Sequence, residues 1–174
     1  DRFLSHEAFS GFEDDLHIPT GIMGSRRGNV WIGALLSDYE GRHFLREKGE
    51  FDLTTNTTRI SQISEAAFGI RLDNTLQEVP GVVTLYPSDY FCPKSHSSGV
   101  IRKTSNTHTI HHFAGSWLPA AERDKLEREA KSNRLLGKRI GERFVDAQHV
   151  LRTEGVAALV GRAGRHCVRG RKGA

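Results

Sequence analysis

Three observations make this an α/β chain. Residues 8–12 and 82–86 are short runs with strand character: Ala8, Ser10 and Phe12 alternate against Phe9 and Gly11, and Val82 to Tyr86 is a continuous buried-type run. Between them, Trp31, Ala34, Leu35 and Tyr39, and then Ile60, Ile63, Ala67 and Phe68, recur at helical spacing. The 174 residues, 37% hydrophobic and 26% charged, are about one domain's worth and suffice for a core.

Taken in order, residues 8–12 form the first strand, and Glu13-Asp14-Asp15 is a polar turn. Residues 17–23 read as a second short strand, which Pro19 confines to an edge because it lacks an N–H for the ladder. Asn29 is a good N-cap for a helix that buries Trp31, with Gly41 as its stop. A charged connector runs to Gly49. Asn56 or Thr57 caps a second helix closed by Gly69, or Asn56 serves an acceptor site. Residues 82–86 are a buried-type strand, residues 87–93 a turn-rich connector, and Ser98-Gly99 a tight turn.

Residues 107–113 hold β-branched and aromatic side chains and predict a strand running into the small-residue loop Ala114-Gly115-Ser116. That strand would deliver His111 and His112 to its end on opposite faces, one towards a ligand and the other packed or solvated. Residues 120–134 form a solvent-exposed helix with Asp124–Arg128 and Glu127–Lys131 at i,i+4. Leu136, Ile140 and Phe144, roughly continued by Leu151, give a further helix one apolar stripe. From Gly161 onward the chain is glycine- and arginine-rich and is expected to be frayed.

The net charge of +4 is uneven. Residues 1–119 carry 11 Lys+Arg and 14 Asp+Glu, residues 120–174 carry 14 and 7, so the basic excess lies in the last third. Such a tail suits anionic lipid or nucleic acid, or is a solvated helical appendage. It has no aromatic residues interleaved to stack bases after Gly161, so no nucleic-acid partner is expected. No run of about 18 apolar residues is present, which argues against a membrane-spanning helix. Cys92 and Cys167 form no CxxC pair and favour a reducing compartment, and Cys92 beside Phe91 and Pro93 reads as a buried small hydrophobe. No HExxH is present, which sets aside a zinc hydrolase of that type.

The stretch NTHTIHHFAGSW, residues 106–117, resembles the carboxy-terminal signature of glycosyltransferase family 32, the capsular-polysaccharide and mannosyltransferase-type sugar transferases. HIPTGIMGSRRGN, DLTTNTTRI and LYPSDYFCP resemble that family in the same order, and the similarity covers residues 1–119. The resemblance implies the carboxy-terminal part of a GT-A mixed sheet with flanking helices, followed by a basic helical extension over residues 120–174. It also implies a retaining, metal-dependent transfer of a sugar from a nucleotide-sugar donor to a glycan or lipid-linked acceptor. The setting would be capsular polysaccharide or lipopolysaccharide synthesis, cytoplasmic or peripheral at the inner membrane face.

On the same resemblance, His112 is the ligand to Mn2+ or Mg2+, because His112-Phe113-Ala114-Gly115 is similar to the His-Phe-x-Gly of glycogenin-like relatives; a shift of one residue selects His111. Ser116 would hydrogen-bond a phosphate oxygen, and the Trp117 indole N–H would meet the departing bridging oxygen. Thr20 and Gly21 resemble a segment near the bound sugar, with Pro19 in place of the family's Asn; Asn56 and Gly115 complete the substrate-binding set. No two Asp residues stand two apart, so the Asp-x-Asp expected of the family is absent. The expectation is a part of a transferase, catalytically silent alone; the alternative is a basic membrane-surface or nucleic-acid-binding module without catalysis.

Overall fold

A four-stranded mixed sheet flanked by helices carries the core of this protein, as described by a computed structural model for residues 2–46, 49–52, 54–116, 118–137, 140, 144, 145, 147, 148 and 151. The chain divides into two compact units, Asp1–Ser95 with Ile101–His112, and His96–Val100 with Phe113–Ala174.

In the first unit the sheet order is β2-β1-β4-β3, with β1 Ala8–Gly11, β2 Gly24–Ser25, β3 Gln77–Val79 and β4 Val83–Tyr86. The central pair β1–β4 is parallel, Phe9 facing Thr84, and both outer pairings are antiparallel. A parallel pair needs a long crossover, and the chain between them forms α1 Val30–Ser37 and α2 Asn56–Phe68. All of β4 is buried, as a central strand covered on both faces must be.

Local chemistry explains the helices. Asn29 Oδ1 accepts from the Trp31 and Ile32 N–H groups, while Asn29 Nδ2 donates to the Val82 carbonyl at 2.8 Å and ties the helix start to the start of β4. Gly69 ends α2 in the left-handed conformation at φ 64°. The cap of α2 is Thr55, whose hydroxyl accepts from Thr58 N at 3.3 Å, rather than Asn56 or Thr57. The core comprises Ala8, Phe12, Ile18, Trp31, Leu35, Ile60, Ile70, Val83 and Leu85. Trp31 is fully buried there, and its indole N–H donates to Ser64 Oγ at 2.9 Å.

Two expected elements differ, and one strand was not expected. Residues 17–23 are irregular and the pairing strand is β2, one residue further on. Pro19 offers no donor, and the Ile18 N–H is taken by Ser61 Oγ at 2.8 Å, so a ladder cannot form there. Strand β3, which the periodicities do not indicate, is set by the Pro80-Gly81 turn: Val82 N–H bonds the Val79 carbonyl and Gly81 takes φ 73°. Residues 107–113 are not a strand. Thr107 and Thr109 spend their hydroxyls on the carbonyls of Asp89 and Phe91, around α3 Ser88–Phe91, and Phe113 turns the chain at φ 53°.

Gly24 reports how tightly β2 lies on β1. A methyl group there would sit 2.2 Å from Phe9 Cε1. Gly24→Ala should therefore lower stability by about 2 kcal/mol, read from urea unfolding. Combining it with Phe9→Ala should recover part of that loss; strictly additive effects would show that the ring is not the obstacle.

The second unit is built on α4, Ala120–Leu136. Half-buried Lys125 and Glu129 pair at 3.5 Å, Gly137 ends the helix at φ 80°, and buried Asn133 donates to the Ser97 carbonyl at 2.8 Å. Gly99, at φ 67°, lies against the Ala130 methyl. Of the apolar stripe expected beyond α4, Leu136, Ile140, Phe144 and Leu151 are exposed, and Val145 is the buried residue instead. The basic run 161–174 lies outside the described residues.

Candidate functional site

Four stretches distant in sequence meet in the first unit. The turn at Glu13 closes when its N–H bonds the His17 carbonyl at 2.8 Å, and the chain then passes Ile18 and Pro19 to reach Thr20 and Gly21. Asn56, the first residue of α2, donates from Nδ2 to Thr20 Oγ1 at 3.1 Å. Stretch 85–93 is bound to the signature: Asp89 Oδ2 accepts from Thr104 Oγ1 at 2.7 Å and Asn106 Nδ2 at 3.2 Å, and His108 N–H donates to the Tyr90 carbonyl at 2.8 Å. These bonds lay the signature along the exit of α3 and carry His111 to Gly21, where a Cβ would come within 3.4 Å of the imidazole Nδ1.

His111 and His112 diverge as adjacent residues of an extended chain do. His111 is half-buried, and His112 is exposed, its carbonyl accepting from Lys94 Nζ at 2.6 Å. Asn56 thus meets Thr20, and His111 lies beside the adjacent Gly21. Gly115 and Ser116 belong to the second unit. There Gly115 is buried at φ 55°, and Ser116 sits exposed in the turn whose carbonyls at Ser116 and Leu118 accept from Arg123 Nη1. Trp117 lies outside the described residues.

A further grouping went unread in the sequence. A carboxylate oxygen of Glu13, Sγ of Cys92 and an imidazole nitrogen of His111 all lie within 4.8 Å of one another. Cys92 is buried and is not in a disulfide. Burial pushes its thiol up to about 12, the nearby Glu13 and Asp14 carboxylates add to that, and the His111 backbone N–H directed at the sulfur opposes it. Glu13 reads locally as part of a turn and Cys92 as a small hydrophobe; only the fold joins them.

This set does not suit Mn2+ or Mg2+, which take oxygen-rich shells. It provides one carboxylate beside a thiol and an imidazole, and it is the one cluster of three or more potential metal ligands among the described residues. Asp14 is engaged locally, accepting from Leu16 N and pairing with His17 at 2.9 Å. Comparison of the chain with protein-family models, curated proteins and solved structures finds no match. Among the described residues, no helix is long and apolar enough to cross a membrane.

Proposed function

We propose that this chain belongs to a glycosyltransferase of the GT-A type, similar to family 32, which moves a sugar from a nucleotide-sugar donor to a glycan or lipid-linked acceptor. The observation that carries the reading is the meeting of separately resembling stretches: Asn56 bonds Thr20, Gly21 receives the His111 ring, and Asp89 holds the signature. A mixed sheet with a parallel central pair is compatible with such a fold. An Asn amide beside a Thr hydroxyl provides donors and acceptors of the kind that recognise sugar hydroxyls. Exposed His112 is the imidazole proposed to face the leaving diphosphate. The divalent cation that the resemblance implies would need oxygen ligands other than the Glu13 cluster, and no step is assigned to it.

The test is saturation-transfer NMR on the 174-residue chain with hexose oligosaccharides and, separately, with GDP- and UDP-hexoses. Sugar protons should receive saturation, falling about tenfold in Asn56→Ala as one or two hydrogen bonds are lost. No transfer to any saccharide, or transfer indifferent to both Asn56→Ala and Thr20→Ala, rules the reading out.

A further inference from the structure

We infer that Glu13, Cys92 and His111 form a binding site for Zn2+, or a metal of similar softness, that fastens the signature stretch to the chain leaving β1 and to the exit of α3. This inference does not rest on the transferase reading.

Zinc takes thiolate sulfur at about 2.3 Å and nitrogen or oxygen at about 2.0–2.2 Å, which puts neighbouring ligand atoms of a tetrahedral site roughly 3.5 Å apart. The three atoms lie within 4.8 Å of one another, so closure on a metal asks for side-chain movements of about an ångström. Their chemistry is mixed in the way that zinc accepts and magnesium does not: one thiolate, one imidazole and one carboxylate. The Glu13 and Asp14 charges that oppose a bare thiolate attract a cation, and Cys92 passes its proton to solvent as the sulfur–metal bond forms.

The backbone already holds each ligand in place. Glu13 N–H bonds the His17 carbonyl, Cys92 N–H bonds the Ser88 carbonyl at 2.7 Å, and Thr109 Oγ1 bonds the Phe91 carbonyl at 3.1 Å, two residues before His111. Three protein ligands leave a fourth position for water. Gly21 lies beside the His111 ring, where a Cβ would reach van der Waals contact with the imidazole at 3.4 Å.

The experiment takes the reduced, chelator-treated 174-residue chain and titrates Co2+, following the thiolate-to-cobalt charge-transfer band, and then displaces Co2+ with Zn2+. One metal per chain is expected, with the band intact in Cys167→Ser and lost in Cys92→Ser. Affinity should fall at least about 100-fold in His111→Ala and about tenfold in Glu13→Gln, and millimolar Mg2+ should not compete. Should Cys92→Ser fail to fold, alkylation of Cys92 in Cys167→Ser decides the matter, Zn2+ slowing it at least tenfold. No band, a band that survives Cys92→Ser, or alkylation indifferent to Zn2+ overturns the site.

Discussion

Trp31→Ala is expected to destabilise the first unit by about 4 kcal/mol, enough to remove much of the 5–15 kcal/mol typical of a whole domain. Trp31 has no exposed surface and is surrounded by the other core residues, so its removal leaves a cavity that rigid neighbours cannot refill. The indole N–H bonds Ser64 Oγ, itself fully buried, so the truncation also leaves a hydroxyl without its partner. Ser64→Ala should cost about 1–2 kcal/mol, because it orphans the indole N–H but opens little space. Urea unfolding of the three proteins checks this ordering. A Trp31→Ala loss no larger than that of Ser64→Ala would mean that hydrogen bonding, not packing, dominates the site.

Asp38→Asn is expected to cost about 2 kcal/mol at neutral pH and to flatten the acid side of the stability profile. Asp38 receives both Nε and Nη2 of Arg59, and the two side chains are only 18% and 15% exposed, so the lost charge leaves the guanidinium largely desolvated. The Arg59 hydrogen bond holds the Asp38 carboxyl below its usual range, against the opposing effect of burial. Asp52 is held down to about 2, first by hydrogen bonds from Thr54 and then by Arg46. Both carboxyls have folded values below the unfolded value of about 3.9. Their stabilising effect is therefore complete above about pH 4 and is lost as pH falls through the folded values. The urea midpoint of the parent chain should drop steeply below pH 4, and that of Asp38→Asn less so. Parallel curves for the two proteins would place the acid sensitivity elsewhere.

What could be read from the sequence was local. Asn29 and Gly69 announce a helix start and stop because capping needs only a side chain and a backbone angle within the same turn. Strand β4 was visible because complete burial leaves a continuous apolar run. The signature stretch misled for the opposite reason: Thr107 and Thr109 suit a strand, but here their hydroxyls serve main-chain carbonyls on α3, which pattern alone does not disclose. Pro80-Gly81 carried a readable turn signal, whereas Gln77–Val79 has no apolar alternation long enough to stand out. Of the residues proposed for a site, Thr20, Gly21, Asn56, His111 and His112 came from the resemblance. Glu13 and Cys92 were not, because no spacing rule spans the stretches between residues 13, 92 and 111.

The parallel pairing of β1 with β4 also sets a timetable for the nascent chain. Phe9 meets Thr84, a partner made 75 residues later. At about 5–20 residues per second, β1 waits roughly 4–15 s on the ribosome before its central neighbour exists. During that interval, among the described residues, β2 is the one strand already made that pairs with it, a two-residue partner that leaves most of its edge unsatisfied. Synthesis speed between α1 and β4 is thus a determinant of yield for this protein, and slow codons there would prolong the exposure of Ala8–Gly11 to other unfinished chains.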